Sequence, residues 1–592
     1  MGFFFSTWFA LLLYWEVFSG LTPDVVLSAS AVSIVAGLLL RCKGKKFEIA
    51  NDKLALIAVG LVFGTILVLN VVSVFYVNEN GGISAIVNVW GDGPLHLSII
   101  NSFATGQNHP PAYPLLLNSP LTYPFLTDFS SAVLVVGGFD WRSAVLLLNI
   151  LLSFSLVSFT FFLAREFSKS SLAAALLLFL FFFNGNFGIM NAVNDFNQGK
   201  LLPLQTDYSR VETWQQAFMN ITYFMVMPQR SALLGFAGAL LVLWLLYRFI
   251  SQRDANNSWQ AQTKAELLLA GVVSGLLPLA HTHSFLVVAA VSFYWFLTEP
   301  RKEWFLFFVP MVLLSLPQVA WITQHTGSNF MGMQVGWIEE NAGKNIFQLA
   351  WFWVQQLPIA ILLAPIAFFL LTQEQRKFVI PFIILFLIAN VIRFQPYPWD
   401  NIKILLFPVL VFLTLAAVAL DRIWNFKARS EWLRKTTKFL VIATVVFSIA
   451  GGILSVLWIG WGENARYEVF PNRDLQVAEW IKANTPSNAV FLTSDKHNHL
   501  VPAIAGRSIV MGYPGWLWTH GVQYSQQETD VKLMYLRPDC SIFRKYGVSF
   551  VFVGPQENDF HPNTAFFEKN FEKVFDQTFD KYYNFKIYRV KC

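Results

Sequence analysis

Charge is scarce in this sequence: Asp, Glu, Lys and Arg together make up 13% of its 592 residues. A soluble globular chain carries roughly twice that share. The formal net charge of +6 is small for the length, which excludes a strongly basic nucleic-acid surface, and no zinc-finger or helix-turn-helix signature is present. Cysteine is scarcer still. Cys42, Cys540 and Cys592 stand in no metal-ligand spacing, so no zinc or iron–sulfur site is suggested. Repeats of solenoid period and low-complexity tracts are absent. The first apolar stretch lacks a basic leader and runs directly into a second, so no cleavable signal peptide is expected.

What fills the space is apolar bulk: 55% of residues are hydrophobic, and 59 are phenylalanine. A membrane crossing needs roughly 20 apolar residues. Such stretches fall near 4–20, 24–40, 54–77, 142–163, 170–184, 231–250, 265–280, 284–298, 304–322, 347–371, 378–394, 402–420 and 438–459. The expected fold is therefore a polytopic α-helical membrane protein of about thirteen spans. An apolar piece at 130–138 is too brief to cross and reads as a re-entrant or membrane-surface segment.

Lysine and arginine in short loops set the orientation. The basic loops run from Arg41 to Lys46, Arg165 to Lys169, Arg248 to Lys264, Arg301 to Lys302, Arg376 to Lys377 and Arg422 to Lys438. Thirteen crossings put all of them on one side, assigned to the cytoplasm with the N-terminus. Loops 78–129, 185–230, 323–346 and 393–401 then lie outside, as does everything after Trp461. Two domains follow: a membrane domain over 1–460 and an extracytoplasmic α/β domain over 461–592. In the latter, Asp474 to Ala483 reads as an amphipathic helix, and Ala489–Leu492, Ser508–Met511, Val548–Val553 and Phe585–Val590 read as strands. Cys540 and Cys592 both lie there, either as a disulfide or as two unpaired thiols.

The first outer loop carries the densest chemistry. It reads Asn88-Val-Trp-Gly-Asp92-Gly-Pro-Leu-His96, then Gly106-Gln-Asn-His109-Pro110-Pro111, then Ser119-Pro120-Leu-Thr-Tyr123-Pro124 and Asp128. Asp92 and His96 are four apart and share a face if helical. The Pro-rich continuation fixes the backbone without a hydrogen-bond ladder. Asp92 is either a catalytic carboxylate or the cap of a helix that begins at Gly93-Pro94. His96 either binds substrate or is a satisfied polar residue at the interface.

This layout resembles the GT-C superfamily of membrane glycosyltransferases, which includes protein O-mannosyltransferases and bacterial aminoarabinose transferases. The carriers of the resemblance are Asp92 after the third span, the Pro-Leu-x-Tyr-Pro segment at 120–124, and Gly137-Gly138-x-Asp140-x-Arg142 leading into the next span. The resemblance implies a polyprenyl-phosphate-linked sugar as donor, an acceptor that is a protein, lipid or glycan, and an inverting transfer. It implies Asp92 as the acidic catalytic residue and an address in the plasma (inner) membrane of a prokaryote. Many members carry an acidic pair here; Gly93 follows Asp92 in this chain, so the second carboxylate and any divalent metal are left open.

Further ionisable residues gather at outer ends of spans, where burial is costly and a cavity is the usual reason. Arg230 and Lys403 suit a lipid phosphate, or else snorkel to head groups. His281 and His283 flank a span junction as substrate ligands or, less readily, a metal pair. Asp400 either binds substrate or pairs with Lys403. Asp128, Asp207, Arg210 and Glu212 complete the outer set. In the tail, Trp516, Trp518 and His520 follow strand candidates, where α/β sheets place binding loops. The tryptophans stack on a sugar, lie on the membrane, or pack in the core. Two other classes compete with a glycosyltransferase. A transporter or flippase would show paired broken segments or a repeat, and neither is seen. A scaffold presenting the tail would not need ionisable residues gathered at one membrane face.

Overall fold

The computed structural model describes residues 2–41, 52–200, 202, 204–211, 220–251, 261–324, 330–336, 345–427 and 430–592. Long apolar runs become helices because only a helix satisfies every backbone group inside lipid. In chain order these are α1 (Gly2–Glu16), α2 (Pro23–Arg41), α3 (Lys53–Ser73), α4 (Val87–Ala104), α5 (Leu126–Val136), α6 (Trp141–Ser168), α7 (Ser171–Phe182), α8 (Ile189–Asn197) and α9 (Arg230–Ser251). There follow α10 (Ala261–Gly275), α11 (Pro278–Thr298), α12 (Phe305–Thr323), α13 (Ile346–Gln356), α14 (Pro358–Phe369), α15 (Gln373–Ala389), α16 (Ile402–Trp424) and α17 (Glu431–Trp461).

Every expected span contains a helix, but not every one of these helices passes as a crossing by length and composition. Among the described residues, seven helices are long and apolar enough to cross a membrane, and up to nine if two bent pairs are counted. The reason is local chemistry that hydropathy does not register. The chain bends by 65° between α7 and the segment from Asn186, and by 99° at Pro358 between α13 and α14. α1 and α10 have 15 residues each, and α15 has 17. The protein is an integral membrane protein all the same. α9 and α16 form its centre, with 83% of each apolar window buried, whereas α12 is only 22% buried and faces outward. The piece expected at 130–138 is the end of α5, an 11-residue helix packed on α4 and α6.

Basic residues collect at one end of the bundle. Glu299 pairs with Arg301 and Lys377, Gln375 donates to the Phe167 carbonyl, and Arg422 donates to the Leu370 carbonyl. At the other end lie the N-termini of α9 and α16 and a break inside α11. There β1 (Tyr76–Val77) leads into the first long connection, 78–129, which contributes β2 (Ile83–Ile86) and α4.

Two short strands, β3 (Gly332–Met333) and β4 (Ile392–Arg393), pair with each other beside this end. β5 (Arg466–Phe470) then leaves α17 and pairs antiparallel with β2. The C-terminal region continues with β6 (Val490–Leu492), β7 (Ser508–Ile509), β8 (Phe550–Val553), β9 (Glu572–Asp580) and β10 (Tyr583–Arg589). They form one sheet in the order β7-β6-β8-β10-β9. The first three are parallel, and β10 runs antiparallel to both its neighbours. Four of the five sheet strands and the helix Asn472–Asn484 fall where the pattern placed them; β9 was not anticipated. Cys540 and Cys592 are joined as a disulfide.

The C-terminal region is locked onto the first connection. Leu117 N–H donates to the Val510 carbonyl at 3.1 Å, and Gly512 N–H donates to the Leu115 carbonyl at 2.8 Å. Asn101 Nδ2 donates to the Ala503 carbonyl at 2.6 Å. Arg507 donates to the carbonyls of Thr105, Ala505, Lys482 and Thr485 and to Thr485 Oγ1. Gly506 has φ of +67°, and a Cβ there would sit 2.4 Å from the Asn101 carbonyl oxygen. Both the backbone conformation and the close approach require glycine.

Candidate functional site

Asp92 lies inside α4, five residues past its start at Val87. The capping alternative is thereby corrected: the helix does not begin at Gly93-Pro94, because Val87 to Gly91 already follow helical geometry and Pro94 is accommodated within it. Pro94 removes one helical hydrogen bond beside Asp92. Asp92 Oδ2 accepts a hydrogen bond from Gln229 Nε2 at 2.7 Å, and among the described residues Oδ1 takes none. Burial pushes its carboxyl above the ordinary carboxylate range. His96 and Lys403 oppose that shift and Asp400 adds to it. These three residues therefore stand near Asp92.

Beneath this carboxylate is a buried polar chain. His96 Nδ1 meets Asp128 Oδ2 at 2.8 Å, with side-chain exposures of 3% and 0%. Asp128 Oδ1 accepts from Arg230 Nε at 3.1 Å. Arg230 Nη1 donates to Asn149 Oδ1 at 2.9 Å and Nη2 donates to Ser131 Oγ at 2.5 Å. Asp128 and Arg230, expected as ligands of a substrate, are thus placed differently from Lys403. They engage each other and the walls of α5 and α6 below the surface.

α16 supplies a second, partly buried cation. Lys403 Nζ pairs with Asp400 Oδ1 at 2.8 Å, and Gln395 Nε2 donates to Asp400 Oδ2 at 2.8 Å. His281 interrupts α11 with φ of −167° and ψ of 102°, an extended conformation within a helix. Its ring passes close to α9 only because residue 235 is glycine, where a Cβ would lie 2.1 Å from the His281 Cβ. The rings of His281 and His283 are 5.3 Å apart, and Lys403 bears electrostatically on both. The structure therefore brings Asp92, His96, Asp400, Lys403, His281 and His283 to one end of the bundle. Asp207 is elsewhere, buried against α17 and bonded to Ser209 and Ser455. Glu212 lies outside the described residues.

Two further members join the cluster. Gln229, one residue before Arg230, carries no charge to mark it in the sequence. His520 comes from the C-terminal region, with its ring 4.4 Å from that of Tyr123. Its Nδ1 meets Tyr113 Oη at 2.6 Å. Burial, together with Lys403 and His96, depresses the His520 pKa to about 3, so the ring is neutral in any working buffer. Burial raises the Tyr113 hydroxyl well above its ordinary pKa, so it keeps its proton. In the tail, His497 packs between Trp90 at 4.1 Å and Trp516 at 5.8 Å, whereas Trp518 is half exposed. Among the described residues, no three His, Cys, Asp or Glu side chains are grouped to hold a metal ion.

No family model matches this chain, and no curated protein sequence does. Solved structures do. The Archaeoglobus fulgidus oligosaccharyltransferase in its apo form superposes with a TM-score of 0.54 at 11% identity, over 86% of this chain and 71% of the other. The archaeal oligosaccharyltransferase AglB from the same organism, in complex with an inhibitory peptide and a dolichol-phosphate, gives 0.52 at 11% identity, over 91% and 74%. The Archaeoglobus fulgidus enzyme in complex with Zn and sulfate gives 0.51 at 12% identity, over 90% and 73%. At these identities the likeness concerns the fold alone: this chain shares the fold of these oligosaccharyltransferase structures.

Proposed function

We propose that this protein is a membrane glycosyltransferase that moves a sugar from a polyprenyl-phosphate donor to an acceptor on the outer membrane face. The observation that carries the reading is the setting of Asp92. One carboxylate oxygen is held by Gln229, the other is unengaged, and Lys403 stands near enough to act on the charge. The fold likeness supports the class. A neighbour with dolichol-phosphate and a peptide supports a lipid-linked donor and a protein acceptor.

The chemistry follows from placement. An acceptor hydroxyl or amide attacks the anomeric carbon while Asp92 Oδ1 takes its proton. The bond from that carbon to the phosphate oxygen breaks, the electron pair leaves with the polyprenyl phosphate, and the configuration inverts. Partial burial makes the Asp92 carboxylate a stronger base than in water. Lys403 offsets the charge growing on the departing phosphate. Asp128, neutralised by Arg230, fixes the His96 ring from below. Any divalent metal would draw on Asp92 and the donor phosphate, since Asp400, the neighbouring carboxylate, is paired with Lys403. In this reading the chain crosses the membrane thirteen times with its N-terminus in the cytoplasm of a prokaryote. The region 461–592 then forms the outer domain.

The test is Asp92→Asn, purified alongside the wild type, with donor binding and product formation both measured. The amide keeps the shape and removes basicity. Turnover is expected to fall by about 10² to 10⁴ with donor binding little changed, the range typical of a general base. Near-normal turnover would make Asp92 a structural partner and move the base elsewhere.

A further inference from the structure

His281 holds a buried donor with nothing to receive it. The residue is 4% exposed. Its Nδ1 accepts from the Ser284 backbone N–H at 3.3 Å and lies 2.8 Å from Ser284 Oγ. The proton therefore sits on Nε2, which has no hydrogen-bond partner among the described residues. A buried donor without an acceptor is costly and persists where a ligand or water supplies the acceptor.

His520 is half-buried, and a contact of its own fixes which of its nitrogens carries the proton. Tyr113 is 2% exposed, and among the described residues its hydroxyl has one hydrogen-bond partner, His520 Nδ1. A buried hydroxyl that failed to donate would leave its own proton orphaned. Tyr113 thus donates, and the His520 proton is likewise on Nε2. Lys403 bears electrostatically on both rings. His520 also lies over Tyr123, which itself senses Asp92 and Asp400.

We propose that Lys403, His281 and His520 form a phosphate cradle, in which two neutral imidazoles present Nε2–H and one ammonium supplies the charge. It rests on the glycosyltransferase reading and names which residues take the donor phosphate. One cation with two neutral donors matches a single-phosphate group. Tyr113 and Ser284 act as positioning residues, since each fixes a tautomer without touching the ligand. The C-terminal region then contributes to holding the lipid donor as well as covering the site.

The experiment measures binding of farnesyl phosphate to the full chain in lipid nanodiscs, with inorganic phosphate as competitor. His281→Phe and His520→Phe keep a ring and delete the donor, and should each weaken farnesyl phosphate by roughly 10- to 100-fold, the worth of one hydrogen bond to a charged group. Tyr113→Phe should weaken it by roughly three- to tenfold and have no further effect once His520→Phe is present, because its only route is through that ring. Variants are compared only as folded, monodisperse protein. If a histidine variant does not fold, Tyr113→Phe carries the test alone, and wild-type affinity in it overturns the cradle. Wild-type affinity in both histidine variants, or an equal Tyr113→Phe effect with and without His520→Phe, overturns the cradle and leaves the enzyme reading standing. A wild-type chain that binds no farnesyl phosphate overturns both. Inorganic phosphate that competes about as well as farnesyl phosphate would assign the cradle to free phosphate, overturning the lipid assignment.

Discussion

Arg230→Met asks what the buried guanidinium is for. In the wild type, Asp128 is fully enclosed and Arg230 is 3% exposed, 3.1 Å apart. Methionine keeps the volume and the apolar stem but deletes the charge. It leaves the Asp128 carboxylate with His96 alone, and strands Asn149 Oδ1 and Ser131 Oγ, which now accept from Arg230. Breaking a buried pair by removing one partner costs roughly 3–5 kcal/mol. The two lost hydrogen bonds put this case at the upper end. Asp128→Asn should cost a comparable amount by stranding the guanidinium. The double variant should be less destabilised than the sum of the two by roughly 2–3 kcal/mol, because no uncompensated charge remains. The assay is thermal unfolding in detergent, followed by intrinsic tryptophan fluorescence and the recovery of monodisperse protein. Farnesyl phosphate binding is measured on the same samples at low temperature. The pairing account predicts a large loss of thermal stability and a modest loss of binding. An Arg230→Met chain that melts like the wild type but no longer binds the phosphate would refute it and return Arg230 to the ligand.

Other consequences are open to direct measurement. Activity should fall with decreasing pH along a limb set by Asp92, above the ordinary carboxylate range, because burial raises its pKa. Lys403 lowers that pKa, so Lys403→Met should move the limb to higher pH in a kcat/KM profile; a limb that stays put would separate the two residues. Replacing both Cys540 and Cys592 by serine opens a loop with a sequence separation of 52. That should cost the C-terminal region up to roughly 4 kcal/mol, seen as faster proteolysis confined to that region. Single cysteines introduced at Ser430 and Asn558 should react with an impermeant reagent from opposite sides of the membrane; same-side labelling would contradict an odd number of crossings.

The parts of the fold that were legible from sequence are those specified within a window of ten to twenty residues. Val548 to Val553 reads as a strand because its apolar run is short, β-branched and bounded by glycine, and β8 lies there. β9 escaped notice because Glu572–Asp580 is largely polar and exposed, so neither face shows a clean alternation. The start of α4 is hidden in the sequence because Pro94 resembles a first-turn proline, although the helix begins seven residues earlier. The candidate site was legible where charge marked it, as at Asp92 and Lys403. It was opaque where a residue's meaning depends on a distant partner. Nothing near His520 signals Tyr113, which is 407 residues away. Nothing around Arg230 foretells that Asp128, 102 residues earlier, would engage it.

The seam between α4 and the C-terminal region also fixes when the site can exist. Asn101 meets Ala503 across 402 residues of sequence. At the usual elongation rate of about 5–20 residues per second, roughly 20 to 80 s separate the synthesis of the two sides. During that interval the segment around Leu115–Leu117 has its backbone groups unmatched, and the imidazole that completes the cluster has not been made. A ribosome that stalls anywhere before His520 leaves a chain inserted in the membrane with Asp92 in place but its roof missing. Completion of the cluster therefore waits on translation of the region that carries His520.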